Sequence, residues 1–148
     1  MTTPAPQLDD TQLARDARLC RFVRADAVAR CDLPFDINGI HRIAARDRDG
    51  FATYWQERRT LERRLTRLVR AGVDDGSLRT VDPRLTALTV LANDEGVQNW
   101  FRLTPSPSLA PAAIGASLAD LVVAGLLAPR GKLDPVRVEA DSLERGAG

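Results

Sequence analysis

Hydrophobic positions recur at helical spacing along most of this chain, and no stretch alternates in the manner of a half-buried strand. Asp9 or Asp10 can cap a first helix by accepting hydrogen bonds from its free amides. Leu13, Ala17, Cys20, Val23, Ala27 and Cys31 then predict an amphipathic helix to about Arg30. Asp32-Leu33-Pro34 interrupts it, because proline lacks an amide proton and disfavours helix in the residue before it. A shorter helix is expected over 35–46, kinked near Asn38-Gly39, with a turn at 47–50. The third, over 51–71, gathers Phe51, Tyr54, Trp55, Arg58, Leu61, Leu65, Leu68 and Val69 on one stripe. Gly72 is suited to end it in a left-handed cap.

Asp82-Pro83 marks the next start, since aspartate caps and proline fits the first helical position. This fourth helix should run from Pro83 to about Arg102, closed by Thr104-Pro105-Ser106-Pro107-Ser108. A fifth is expected from Pro111 to Ala128, ended by Pro129 and Gly131. The chain therefore reads as a loose arm over 1–8, one helical domain over 9–128, and a flexible tail over 129–148. The fold class is all-α, a helical bundle.

Composition narrows the function. The chain has 148 residues, 44% hydrophobic and 28% charged, which suits a single folded domain. A net charge of +1 gives no overall positive excess, so nucleic acid is not expected as this chain's own partner. The absence of an apolar membrane-length run and of a leader pattern points to the cytoplasm. Cys20 and Cys31 are too few for a disulfide framework and read as reduced, partly buried thiols.

Catalytic motifs are missing. His41 is the single histidine, which excludes HExxH and paired-histidine sites, and no GxSxG, P-loop or GxGxxG element occurs. Neither an enzyme nor a metal or cofactor site is expected. The Arg59, Arg63, Arg67 and Arg70 stripe is interleaved with Glu57 and Glu62, so it reads as a solvated face, the other reading being a phosphate or acidic-partner site.

Two features say more. The fifth helix is apolar over most of its circumference, with Asp120 its one ionisable residue and Ala116, Ala119, Ala124 and Gly125 among its small ones. Such a helix must be covered on every side, either by a second subunit or as the centre of a larger bundle. In the fourth helix, Asn93, Asp94, Glu95, Gln98 and Asn99 cannot all share one face, so at least one must point inward. An inward polar group is either paired internally or lines a ligand cavity. Phe22, Phe35, Tyr54 and Trp55 could supply the walls of such a cavity.

The stretch RLVRAGVDDGSLRTVDPRLTALTVLANDEGVQNWFR (Arg67–Arg102) and the following SLAPAAIGASLADLVVAGLL (Ser108–Leu127) resemble the C-terminal domain of the tetracycline-repressor (TetR) family of bacterial transcription regulators. The resemblance rests on a basic helix ending in a Gly-Xaa-Xaa-Asp-Gly-Xaa-Leu-Arg turn, an Asp-Pro-started helix ending in Trp-Phe-Arg, and an apolar helix ending in Gly-Leu. It implies a bundle that binds a small, hydrophobic effector and pairs with a second subunit through its last two large helices, here 83–102 and 111–128. The implied effector residues are Phe22, Phe35, Tyr54, Trp55, Asn93 and Val97. The implied dimer contacts are Trp100, Leu118, Leu121, Val122 and Gly125. The family's N-terminal DNA-binding unit is not in this sequence, so the chain reads either as part of a longer regulator or as a stand-alone module that could pair with a full-length TetR-type regulator. A stand-alone helical small-molecule-binding protein with no regulatory role is the rival reading.

Overall fold

A computed structural model describes residues 15–103, 106, 109–127 and 130–146. The arm, the caps expected at Asp9 or Asp10, the stripe's Leu13, and Ala128-Pro129 lie outside the described residues, as does most of the 104–108 break. The described residues form six helices: α1 (Arg15–Asp32), α2 (Ile37–Arg46), α3 (Ala52–Asp74), α4 (Pro83–Phe101), α5 (Pro111–Leu127) and α6 (Arg130–Gly146). Among the described residues there is no strand. The all-α expectation holds.

Local chemistry sets the boundaries. Asp36 caps α2 by accepting from Asn38 N–H at 3.0 Å, so α2 starts after Phe35 and Asn38-Gly39 lie in its first turn instead of at a kink. Asp82 caps α4 by accepting from Leu85 N–H at 2.7 Å, with Pro83 behind it. The cap expected at Gly72 is not there. α3 continues to Asp74, and Gly72 is buried within it, where a Cβ would come 2.6 Å from Leu78 Cδ1. The left-handed residue is Gly76, at φ +80°, which turns the chain towards α4.

α1 is the hub of the bundle, lying along α5 on one side and against α3 and α4 on the other. Its buried face is Leu19, Phe22, Val23, Asp26, Ala27 and Cys31, while Ala17 from the expected stripe is exposed. Leu65, Leu68 and Val69 from α3, Ala87, Val90 and Leu91 from α4, and Ala119 and Leu126 from α5 complete the main core. Cys31, Val97 and Ile114 form a second, smaller cluster. The end of α5 is tied down by Arg79, whose backbone N–H donates to Leu126 C=O at 2.8 Å and whose Nε donates to Gly125 C=O at 2.6 Å.

α6 occupies the stretch expected as a flexible tail. It has no apolar stripe that reaches the core, and Val136, Val138 and Leu143 stay exposed. Its helicity was hidden in the sequence for the same reason.

Candidate functional site

The polar run in α4 divides as a helical turn of about 100° per residue requires. Asp94, Glu95 and Gln98 are buried, and Asn93 and Asn99 face outward. Each inward group meets a different partner. Gln98 accepts from Ile37 N–H at 2.9 Å and donates to Arg30 C=O at 2.9 Å and Phe35 C=O at 3.2 Å, closing the α1–α2 connection. Glu95 takes both guanidinium nitrogens of Arg58 from α3, the Nη2 donor lying 3.0 Å from Oε2. Asp94, fully buried, faces Asp26 of α1, which in turn accepts from Arg30 Nη2 at 3.0 Å.

Beside this network lies a cavity of about 310 Å³ between α1, α2, α3 and α4. Phe35, Ile37, Ile40, Tyr54, Leu61 and Leu91 give it apolar walls, and Arg30, Glu57, Arg58 and Glu95 supply the charge. The size is near the lower end of ligand pockets, and apolar walls with a few placed polar groups are their usual composition. Two larger depressions are open surface grooves. One, of about 760 Å³, runs along the outer face of α1 past Ala25 and Val28. The other, of about 540 Å³, lies between α4, α5 and α6. Neither gathers buried charged groups as the α1–α4 cavity does.

The electrostatics follow from burial. Asp94 loses its hydration and sits against a second carboxyl, which together push it up to about 9, so it holds a proton at neutral pH. Burial raises Asp26 as well, against the pull of Arg30. At the cavity's outer side His41 Nδ1 lies 3.0 Å from the Tyr54 hydroxyl. Burial lowers His41, with Arg58 adding to the effect, and raises Tyr54, so both are neutral at pH 7. Trp55 donates its indole N–H to Ala44 C=O at 2.9 Å and stacks edge-on against His41 and Tyr54.

Of the six residues expected around an effector, the structure brings Phe35 and Tyr54 together in this cavity. Phe22 is sealed in the main core and Val97 in the second cluster. Trp55 supports the α2–α3 corner without lining the cavity. Asn93 faces the groove between α4 and α5, because the turn that buries Asp94 carries its neighbour outward. The residues that sequence reasoning missed are Asp26, Arg30, Arg58 and Glu95 as a set. One signal was available: Asp26 falls three and four residues from Val23 and Phe22, on the buried stripe of α1.

Of the expected dimer contacts, Leu121 is 71% exposed, Gly125 is exposed and Trp100 is 38% exposed. Leu118 and Val122 are half-buried and pack against the core. The four arginines of the α3 stripe all face solvent, and Glu62 beside them accepts from Arg84 of α4 at 2.9 Å.

A bundle whose last large helices leave apolar side chains uncovered, around a cavity between the earlier ones, has a counterpart among known domain families. Residues 14–126 match the family described as Tetracyclin repressor-like, C-terminal domain. The chain belongs to that family. TetR-like C-terminal domains are regulatory ligand-binding modules and not catalysts. The match spans α1 to α5 and stops before α6. No curated protein and no solved structure matches the chain. Among the described residues no helix is long and apolar enough to cross a membrane, and no group of three or more His, Cys, Asp and Glu side chains could hold a metal ion.

Proposed function

We propose that this chain is the effector-sensing and dimerising module of a TetR-type transcription regulator, working in the bacterial cytoplasm. A small effector with an apolar body occupies the α1–α4 cavity, and two copies pair through α4 and α5. What supports this reading is that α4 borders the cavity and also carries exposed apolar side chains. Leu91 and Glu95 line the cavity from one face of α4. On another face Leu85, Leu88, Ala92 and Trp100 are exposed, and Leu85 shares a groove with Leu121 and Gly125 of α5. Contiguous exposed apolar side chains mark interaction sites. A two-fold pairing buries the same stripe on both copies. An effector that shifts α4 then changes how the two copies meet, which is how a ligand preferring one arrangement shifts the population.

Light scattering on a sizing column tests the assembly. A dimer is expected, dissociated by Leu121→Glu and by Gly125→Arg with unchanged helical content. A monomer at every concentration overturns the dimer. If the monomer still binds small molecules in the cavity, the chain is a stand-alone binding protein instead.

A further inference from the structure

Arg59, Arg63, Arg67 and Arg70 fall within about 80° of one another around α3 and make a row about 16 Å long. All four are exposed, and so is Arg64 at the side of the row. On sequence alone Glu57 and Glu62 neutralise this face; in the fold both are elsewhere. Glu62 is drawn to α4, where it accepts from Arg84 Nε at 2.9 Å. Glu57 precedes Arg59 by two residues, about 200° around the helix, and lines the α1–α4 cavity. Asp74, one turn beyond Arg70, makes no ion pair with it. Among the described residues no carboxylate pairs with any of the four.

Like charges three and four residues apart weaken a helix, and no ion pair within the described fold offsets that here. The net charge of +1 conceals the row, because the remainder of the chain is then net acidic. The face also limits the kind of partner. No apolar side chain interrupts the row between Arg59 and Arg70; Thr60 and Thr66 flank it, and Leu61, Leu65, Leu68 and Val69 turn to the core. Protein partners are held by buried aromatic and aliphatic anchors, and a helix lying in a membrane surface needs an apolar side. A phosphodiester backbone needs neither. Guanidinium groups take its oxygens in forked pairs, and release of its counterions supplies the affinity.

We infer that the α3 row docks on the phosphate backbone of duplex DNA without reading its sequence. The choice of DNA among polyanions rests on the reading of this chain as part of a transcription regulator. A row of about 16 Å spans roughly five phosphates of one strand at about 3.4 Å each, enough for every guanidinium to reach one. None of the four arginines lines the effector cavity, so docking and effector binding occupy separate places.

Fluorescence anisotropy of the whole chain with a labelled short duplex of arbitrary sequence tests this. Binding is expected in about 50 mM salt and should weaken roughly a hundredfold by about 200 mM, a log–log slope of about −3 to −4 for four neutralised phosphates. Arg63→Gln with Arg67→Gln, and separately Arg59→Gln with Arg70→Gln, should each flatten that slope by about 2 for every copy of the chain in contact. Helical content should be unchanged in both, and the melting temperature kept or raised as repulsion is relieved. Arg42→Gln with Arg46→Gln, two exposed arginines of α2, should leave binding as it was. No binding at low salt overturns the inference, as does a row variant that binds like the parent or an α2 variant that loses as much. Displacement of the duplex by polyglutamate at equal charge concentration also overturns it and marks an acidic protein as the partner. A chain that dimerises and ignores the duplex overturns this inference alone and leaves the effector-module reading standing.

Discussion

Gln98, in the last turn of α4, accepts a 2.9 Å hydrogen bond from the N–H of Ile37, the first residue of α2 and 61 positions earlier in the chain. The same amide donates to Arg30 C=O and Phe35 C=O. One side chain thus bonds backbone groups at the end of α1, at the start of α2 and between them, the groups that helix termini leave unpaired. The Asp32-Leu33-Pro34 break is held in one conformation as a result, and with it Phe35 at the cavity wall.

Gln98→Ala should therefore cost about 2–3 kcal/mol, because a buried N–H and two carbonyls lose their partners together. Gln98→Glu should cost at least as much, since it removes the donor and sets a buried carboxylate against the two carbonyl oxygens. Urea midpoints of the two variants against the parent check the order.

The Asp26–Asp94 pair makes stability depend on pH. Asp94 binds its proton in the folded state up to about 9, whereas in the unfolded chain it ionises near its ordinary 3.8. The folded state binds more protons between these values, so stability falls as pH rises from about 4 through about 9. Asp26, raised in the same direction, adds to the slope. Asp94→Asn carries no titrating proton and can donate its amide to Asp26, so it should flatten the profile and be the more stable protein at pH 8.5. Denaturant unfolding at pH 5, 7 and 8.5 measures this, and an unchanged slope in the variant would refute it.

Arg58→Ala should be destabilising by about 2–3 kcal/mol, because Glu95 is then a nearly buried carboxylate without its bidentate partner. Arg58→Met combined with Glu95→Leu should recover most of the loss, since well-packed apolar residues often replace a buried ion pair at little cost. A double-mutant cycle by thermal unfolding separates the pair from its desolvation penalty.

α1 and α5 pack tightly at Gly115, where a Cβ would stand 2.8 Å from the backbone carbonyl oxygen of Arg24. Even Gly115→Ala must push the helices apart, and Gly115→Val more so, with expected losses of about 1–3 kcal/mol. Gly96 of α4 has open space at the same test, and Gly96→Ala should be neutral or slightly stabilising through helix propensity. Calorimetric midpoints of the variants show whether the contrast holds.

Five of the helices, the Asp82 start among them, follow from local rules, because caps, prolines and apolar spacing act within one or two turns. The inward turn of α4 was also legible: five polar residues in seven positions cannot share a face, and Asp94, Glu95 and Gln98 are buried. The family could be read from the Arg67–Leu127 stretch for the same reason, as those residues encode helix ends and faces directly. Partners could not. Arg58 meets Glu95, Asp26 meets Asp94 and Gln98 meets Ile37 only because α1, α3 and α4 pack in one register, and nothing within a single helix specifies which face meets which. Asn93 was expected beside Tyr54 and faces the opposite groove, since one residue's step turns a side chain by about 100°. The sequence by itself determined the helices and the need to bury polar groups. Tertiary packing decided which of those groups meet, and so which cavity carries charge.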